Sequence, residues 1–565
     1  MTGKGCITTR PLPLPPITPS PFIPPGFMAV FPFRTQGMRW HRSWPVLAIA
    51  LLLSLALVLR FANLERRVHW IDEGIHTLQS FGHYKDELQT VVKEAKRPQP
   101  LSSLDHFLKP NPNRSALAPI QILAETEPQS TPIHYVLNRW WSELFGPSVH
   151  AQRFLAALLS IGLLPATYWL SHELRSLYPT ISPQFPWLAT LLVTLSPLQM
   201  LYSREIRLYS LWVALSTAVT AALLWAAQSR SPSQSRRRWG THTLLLIAAA
   251  YTFPLEWVSA LGRTAWLLIT RRSQWRGLAL SHGVALLAFA PWAIMIRQNI
   301  GHMSKWREEK LALLSLMRSW IEGHSIFVMD WFLIFNDPQK VKLLSFATGG
   351  VLAIASGVLL LWLWSRYRAI SLLLISVGIL PWFVWVVQDL IEGGIRSRLT
   401  ITLRYYLPSY ALFSIVFALG LIQFISTNRL FLQRLAALLL AVWISCGVVC
   451  TVQIARSPRG RFAFDHNEWT HIIPKMLKQE NALLIIPTGS HTSPFRLLTA
   501  HQYLPPDTDF MSLGNPDRVP TLLAAYDKLY VLAPTQRWRE RIEGKDNWTM
   551  TPLGYNVFIL EREET

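Results

Sequence analysis

Two clusters of charged residues lie directly beside long apolar runs, where charges are costly unless they are paired or hydrated. Asp72 and Glu73 form a carboxylate pair shortly after the first run, and Arg204, Glu205 and Arg207 follow the third. A carboxylate can take a proton from a hydroxyl group, and arginine can hold a phosphate with its planar fork of donors. Together these residue types could support a transfer reaction, in which a group leaves a phosphate-linked donor and bonds to a hydroxyl acceptor.

Each cluster also has a structural interpretation. Acidic residues favour helix N-termini, so the carboxylate pair could cap a helix, and the second cluster could mark a helix end. Arg153 stands at the start of the second apolar run, and Arg404 stands directly before the tenth. At such positions, arginine beside tryptophan or tyrosine can also anchor a helix to lipid headgroups. Within the transfer reaction, Glu205 is the rival of Asp72 for the role of base. The residues alone leave these alternatives open.

The elements around the clusters are those of a membrane protein. Of 565 residues, 50% are hydrophobic and only 15% are charged, which excludes an ordinary soluble protein. Runs of about 20 apolar residues can cross a bilayer as helices, and we count about eleven. The runs are 44–60, 151–170, 187–201, 208–227, 242–255, 256–270, 278–296, 342–364, 370–388, 405–424 and 434–452.

Basic residues indicate how these runs are oriented. The chain has 54 Lys and Arg against 33 Asp and Glu, a formal charge of +21. The arginines recur in alternate short loops, such as 236–238 and 271–276, which predicts that these loops are cytoplasmic. Both charged clusters then lie on the periplasmic or extracellular side of the plasma (inner) membrane. Dispersal of the basic residues over several loops excludes a nucleic-acid-binding surface.

The chain divides into three predicted parts. Residues 1–37 are rich in proline and predict a disordered tail, and Met38 would be a natural start. Residues 38–452 form the transmembrane core, with a large first external loop at 61–150. Residues 453–565 predict a small external α/β domain. Its predicted strands are Leu483–Ile486, Leu529–Leu532 and Val557–Leu560, and its predicted helices lie at Thr470–Leu477 and Thr521–Asp527.

Within the first external loop, apolar and charged residues alternate with helical spacing from Ile75 to Ala95. This spacing predicts an amphipathic helix that lies on the membrane surface.

The order of several motifs resembles that of the GT-C membrane glycosyltransferases. An external Asp-Glu pair follows the first run, and Pro132, Tyr135, Phe145-Gly146 and Arg153 precede the second. A stretch Tyr-Ser-x-Glu-x-Arg-x-Tyr at 202–209 follows, and Arg-Tyr-x-x-Pro comes late in the chain, at 404–408. The similarity is to the protein-mannosyltransferase-like group that includes the aminoarabinose transferase of lipid A, and it covers roughly residues 44–425.

The resemblance implies an all-α polytopic GT-C fold that transfers a sugar from a polyprenyl-phosphate donor to an external acceptor hydroxyl. Asp72 matches the catalytic aspartate, and Glu73 completes the pair. The expected donor phosphate ligands are Arg153, Arg204, Arg207, Arg404 and Tyr405, and the expected acceptor or substrate pocket contains His76, His134 and Tyr209. The loop at 297–341 shows no family pattern.

The chemistry agrees with these residue types. The leaving group is already a phosphate, so one base and several cations suffice, and direct displacement would invert the anomeric carbon. A divalent ion could assist, but no His, Asp or Glu set has ligand spacing, so no metal is assigned. The acceptor could be a lipid, a glycan or a protein. The alternatives are a transporter or flippase of lipid-linked or envelope precursors, and a scaffold whose external domain binds a partner.

Overall fold

The computed structural model describes residues 44–299, 312–391, 402–457, 481–488, 492–514, 525–543, 548–554 and 557–562. The predicted tail 1–37 and the predicted helix Thr470–Leu477 lie outside the described residues. The chain divides into two units, Met1–Ala48 and Ile49–Thr565. In the first unit, only the beginning of one helix is described.

The structure is mostly helical. Helices of the first external loop and its borders are α1 (Trp44–Phe61), α2 (Ile71–Ser80), α3 (Lys85–Glu94), α4 (Ala118–Thr126) and α5 (Ile133–Phe145). The following helices are α6 (Val149–Ser160), α7 (Leu163–Leu177), α8 (Phe185–Leu195), α9 (Pro197–Tyr202), α10 (Tyr209–Ala227), α11 (Pro232–Thr252), α12 (Glu256–Thr270) and α13 (Trp275–Gln298). Later helices are α14 (Leu313–His324), α15 (Pro338–Arg366), α16 (Arg368–Leu373), α17 (Leu380–Ile391), α18 (Leu407–Ile425), α19 (Leu430–Arg456), α20 (Ser493–His501) and α21 (Gln536–Glu543).

Seven helical segments of the described chain are long and apolar enough to cross a membrane. They are Val149–Leu177, Tyr209–Ala227, Arg272–Gln298, Pro338–Arg366, Arg368–Val387, Leu403–Ile425 and Leu430–Arg456. Each of the eleven predicted runs overlaps a described helix. The helices at Leu47–Phe61 and Phe185–Leu195 are apolar but shorter. The predicted polytopic helical architecture is confirmed, whereas eleven spans remain a prediction.

The first external loop differs from the prediction. Two helices, α2 and α3, replace the single amphipathic helix, and they are separated at Gly82, whose φ of +83° suits glycine. The apolar residues Leu78, Leu88 and Val92 are buried against the C-terminal region. The prediction of a membrane-surface helix at Ile75–Ala95 is therefore wrong, because its apolar face packs on protein.

A six-stranded sheet has five strands in the C-terminal region and one, Gln99–Pro100, in the first external loop. Its order is β1-β3-β2-β4-β6-β5, with β2 parallel to both β3 and β4 and the remaining pairs antiparallel. The strands are β1 (Gln99–Pro100), β2 (Ala482–Pro487), β3 (Asp509–Leu513), β4 (Lys528–Leu532), β5 (Trp548–Gly554) and β6 (Val557–Arg562). All three predicted strands are confirmed. Residues 525–527, the described end of the helix predicted at Thr521–Asp527, form a turn and bend instead.

The sheet and the first external loop share one hydrophobic core. The loop contributes β1, which pairs with β3, and the buried faces of α2 and α3. The C-terminal region contributes apolar residues of β2, β4 and α20, among them Leu484, Tyr530 and Leu498. Sequence alternation could not indicate this, because the two halves of the core lie almost 400 positions apart in the chain. The C-terminal region and the loop consequently fold against each other.

We expect Leu88→Ala to lower stability by about 2–5 kcal/mol, because it leaves a cavity in this shared core. Leu88 has no exposed surface, whereas Ile120 on α4 is 38% exposed. The Ile120→Ala variant is therefore the matched control and should change the melting temperature of the purified protein little. Equal melting temperatures for the two variants would contradict the shared core.

Candidate active site

Asp72 lies in the first turn of α2, and two arginines from distant parts of the chain approach it. Arg404 Nη1 lies 3.1 Å from Asp72 Oδ2, and Arg207 Nη2 lies 3.8 Å from the same oxygen. Arg207 Nη1 also donates to the Asp72 backbone carbonyl over 3.2 Å. The Asp72 side chain is 25% exposed, and the two arginine side chains are 14–16% exposed. We call Asp72, Arg207 and Arg404 the open cluster.

Aromatic rings position the arginines of the open cluster. Tyr209 Oη accepts a hydrogen bond from Arg207 Nη2 over 3.3 Å, and its ring lies 5.5 Å from the Arg207 guanidinium and 5.9 Å from that of Arg404. Arg404 also lies over Trp70 and Tyr405, at 5.8 and 5.5 Å. Cation–π contacts of this kind favour guanidinium groups on aromatic faces. Of these rings, Trp70 was missed by the sequence analysis.

Glu73 has a different environment from its neighbour Asp72. Its carboxylate is fully buried and forms a bidentate pair with Arg153, with Nε–Oε1 and Nη2–Oε2 distances of 3.0 and 2.7 Å. Glu73 Oε1 also accepts from the backbone N–H of Ile206 (2.9 Å), and Oε2 accepts from that of Trp70 (3.4 Å). Glu73, rather than Asp72, therefore closes the first turn of α2.

Arg153 holds the segment before α2 through several hydrogen bonds to its backbone. Ser148 caps the N-terminus of α6, and Arg153 follows about one turn later. Its guanidinium donates to the backbone carbonyls of Leu64, Arg67 and Val68 over 2.7–2.9 Å, in addition to its bonds with Glu73. Arg153 is fully buried, so each of its donors serves the protein itself.

A second buried pair joins the two charged segments of the sequence. Arg67 Nη2 donates to Glu205 Oε1 over 2.7 Å, and Arg67 Nη1 donates to the Leu201 carbonyl over 3.2 Å. Arg67 was not predicted as a site residue; its position in an Arg-Arg dipeptide near the carboxylate pair was the available signal. We call Glu73, Arg153, Arg67 and Glu205 the closed cluster.

Arg204 lies beside the closed cluster but holds no carboxylate. Its guanidinium donates to the carbonyls of Leu59, Ala62 and Asn63, at the C-terminal end of α1. A cation favours this end of a helix, where backbone carbonyls lack partners within the helix. Among the five predicted phosphate ligands, the structure brings Arg207, Arg404 and Tyr405 together beside Asp72, and it buries Arg153 and Arg204 against backbone carbonyls.

The two buried carboxylates have opposite pKa shifts. Burial by itself would raise the pKa of Glu73, but the charge and hydrogen bonds of Arg153, with smaller effects of His69 and Arg67, lower it to about 2. Burial raises the pKa of Glu205, and the charge of Arg67 opposes this only in part. Glu73 is therefore ionised across the neutral pH range.

His76 and His134 form a buried pair near Arg207. His134 Nδ1 and His76 Nε2 are 2.8 Å apart, and the His76 ring lies 3.8 Å from that of Tyr135. Burial and the nearby Arg207 charge lower the pKa of His134 to about 3 and hold that of His76 well below its usual range. Both rings are therefore neutral, with one donating to the other.

Within the described ranges, no group of three or more His, Cys, Asp or Glu side chains could hold a metal ion. The residues of the open cluster offer one carboxylate and two cations, which suits an anionic ligand better than a divalent cation.

No protein family model matches the chain, and no curated protein matches it. Among solved structures, the chain is similar to apo ArnT from Cupriavidus metallidurans, with 16% identity, a TM-score of 0.43, and coverage of 92% of this chain and 98% of that one. ArnT bound to undecaprenyl phosphate gives a TM-score of 0.41 at 16% identity, with the same 92% and 98% coverage.

The chain is also similar to the oligosaccharyltransferase of Archaeoglobus fulgidus tethered to an acceptor peptide with an NVT sequon. Identity is 11% and the TM-score is 0.44, with 93% of this chain and 75% of that chain covered. ArnT and this oligosaccharyltransferase are both GT-C glycosyltransferases, the superfamily that the sequence resembles.

We expect Glu73→Gln to destabilise the protein by about 3–5 kcal/mol, because it leaves Arg153 as a buried charge without its counter-ion. Asp72→Asn, at a partly exposed position, should change the melting temperature much less.

The stability difference between wild type and Glu73→Gln should also depend on pH. The folded-state pKa of Glu73 lies below its ordinary value of 4.5, so the stabilisation is present above pH 4.5 and is lost as pH falls toward 2. Melting curves of both proteins across this range test the claim. A pH-independent difference would show that ionisation of Glu73 contributes nothing.

Proposed function

We propose that the protein is a multi-pass membrane glycosyltransferase. It transfers a sugar from a polyprenyl-phosphate donor to an acceptor hydroxyl at the external face, with Asp72 as the general base. The open cluster is the observation that supports this proposal. It combines a partly exposed carboxylate with two arginines suited to phosphate, and the GT-C-like order of motifs in the sequence provides separate support.

Both arginines of the open cluster retain capacity to bind a ligand. Arg207 and Arg404 approach the same carboxylate oxygen, Asp72 Oδ2, and their side chains are 14–16% exposed, so a ligand can reach them. Charge-assisted bonds from arginine to phosphate are strong and are frequently bidentate. The phosphate of the donor would be held between these two side chains.

The charges of the open cluster match those of the reaction. Two arginines and one carboxylate give a net charge of +1, which complements the single negative charge of a phosphodiester donor. During transfer, the acceptor oxygen bonds to the anomeric carbon as its proton moves to Asp72. The bond from that carbon to the phosphate oxygen breaks, with its electron pair leaving on the phosphate.

Protonation of Asp72 raises the charge of the cluster to +2 as the leaving phosphate gains a second negative charge. The cluster therefore stabilises the charge that develops during the reaction more strongly than the charge of the donor, which is the requirement for electrostatic catalysis. No general acid is needed, and direct displacement inverts the anomeric carbon.

The other predicted site residues receive indirect roles in this proposal. Glu73, Glu205 and Arg153 are buried in ion pairs, and Arg204 is buried against backbone carbonyls, so these residues would fix the backbone that presents Asp72. Tyr209 and Tyr405 orient the arginines. His76 and His134, neutral and close to Arg207, would line the acceptor side. The site and the C-terminal region would be periplasmic or extracellular, on the inner membrane.

One buried ion pair within α12 does not favour the alternative of a transporter. Glu256 and Arg263 on α12 are fully buried and form an ion pair with each other. Trp212 Nε1 also donates to Glu256 Oε2 over 2.8 Å. Transporters keep intramembrane charges beside substrate or ion pathways. This pair is bonded within the helix packing instead.

We expect Asp72→Asn to lower turnover by about 10²–10⁴-fold while donor lipid still binds, because the amide keeps the shape but cannot accept the proton. Turnover and donor binding by the purified protein, with a radiolabelled polyprenyl-phosphate sugar, are the measurements. Asp86→Asn is the matched control, because Asp86 lies in the first turn of α3 as Asp72 does in that of α2. Near-normal turnover of Asp72→Asn would leave the residue only a role at the helix terminus.

Arg404→Ala should mainly weaken donor binding, and Arg404→Lys should restore it only in part, because an ammonium cannot form the bidentate bonds of a guanidinium. The concentration dependence on donor is the measurement. Arg318→Ala, at a residue 54% exposed on α14, controls for loss of a positive charge. If Arg404→Ala kept the wild-type donor dependence, Arg404 would be reassigned to anchoring the helix end.

A further inference from the structure

We infer that the C-terminal region positions the helix that carries Asp72, and that Tyr503 and Thr499 are the positioning residues through which it acts. This inference rests on the proposed function for its effect on turnover, whereas the contacts that carry it do not depend on that function. The 453–565 region would then be part of the catalytic apparatus.

Tyr503 holds the backbone just before α2. Its Oη accepts a hydrogen bond from the backbone N–H of His69 over 2.5 Å. The adjacent carbonyl, that of Val68, accepts from Arg153 Nη2 over 2.9 Å. Two neighbouring backbone groups are thus held by distant parts of the chain. Arg153 on α6 holds one, and Tyr503 after α20 holds the other. Asp72 follows His69 by three residues, so this anchor determines where α2 begins.

Thr499 holds α2 on the other side of Asp72. A Cβ placed on Gly74 would lie 2.6 Å from Thr499 Cγ2, which is closer than side chains tolerate. Thr499 is buried, and its Oγ1 donates to the Arg496 carbonyl over 2.8 Å, which leaves the methyl group facing Gly74. Helices α2 and α20 are therefore in close contact two residues after Asp72, and the glycine permits that approach.

Further bonds connect the C-terminal region to the rest of the loop. His501 Nε2 lies 2.8 Å from Asp105 Oδ1, and the Ser512 N–H donates to the Ala95 carbonyl over 2.7 Å. Together with the β1–β3 pairing, these bonds connect the C-terminal region to the part of the loop that runs from α2 to just after β1. A shift of α20 would therefore move α2, and Asp72 with it, relative to Arg404, which belongs to another element.

A pair of small substitutions tests the contact between α2 and α20. Gly74→Ala should lower kcat about 10- to 100-fold, since a displacement near 1 Å at a reacting group can cost this much. The KM for donor should change little, because Arg404 stays in place. Thr499→Ser removes the obstructing methyl group and keeps the hydroxyl, so alone it should be near wild type, and combined with Gly74→Ala it should restore most of kcat.

Alanine is the better helix former, so weakened helix propensity cannot explain a loss of activity in Gly74→Ala. Wild-type turnover in Gly74→Ala, or a double variant as impaired as Gly74→Ala alone, would overturn the inference.

Hydrogen–deuterium exchange tests the Tyr503 anchor without reference to activity. Tyr503→Phe should accelerate exchange of the His69 amide and lower kcat. Tyr526→Phe is the matched control, because it removes another hydroxyl of the C-terminal region, one that donates to Asp509 Oδ2 over 2.6 Å, away from α2. Unchanged exchange at His69 would overturn the inference. If the wild type transferred no sugar from any polyprenyl-phosphate donor, the proposed function would fail, and the exchange result would still decide the positioning role.

Discussion

The geometry of the whole site depends on the buried ion pair between Glu73 and Arg153. Arg153 uses its remaining donors on three carbonyls of the segment that links α1 to α2, and Glu73 uses its remaining capacity on the backbone of Trp70 and Ile206. Burying two charges costs more than their attraction returns unless such additional bonds satisfy them. Here both ions are satisfied by main-chain groups, so the pair fixes the backbone as well as two side chains.

This arrangement explains why two adjacent carboxylates have opposite surroundings. Successive residues of a helix point about 100° apart, so Glu73 can face the protein interior only if Asp72 faces another side. The anchored Glu73 fixes the rotation of the first turn of α2, and Asp72 is thereby turned toward Arg207 and Arg404. The bond from Ile206 to Glu73 sets the position of Arg207, the next residue along the chain, by the same contact. One ion pair therefore places both the carboxylate and one of its cations.

Residue types and spacing predicted the helical membrane architecture, the three strands at 483–560 and the carboxylate pair, because these signals are local in the chain. They could not separate Asp72 from Glu73, or Arg207 from Arg204, because burial is decided by the elements that pack around each residue. The apolar face predicted at Ile75–Ala95 exists, but it packs against the C-terminal sheet, almost 400 residues later in the chain, and not against lipid. Arg67 had only its Arg-Arg dipeptide as a signal, and Trp70 had no distinguishing motif. The roles of both residues follow from partners distant in sequence.

The division into a closed and an open cluster has a chemical consequence. The closed cluster contains two arginines and two carboxylates, so it is balanced, and its bonds are internal to the protein. The open cluster has one more cation than anions, and its side chains are 14–25% exposed, so its excess charge can act on a ligand. A rigid backbone lets this excess positive charge stabilise a leaving phosphate, because preorganised cations need no rearrangement as negative charge develops. The elements that hold the backbone, among them α6 and the C-terminal region, therefore contribute to the proposed catalysis as much as the residues that would contact the donor.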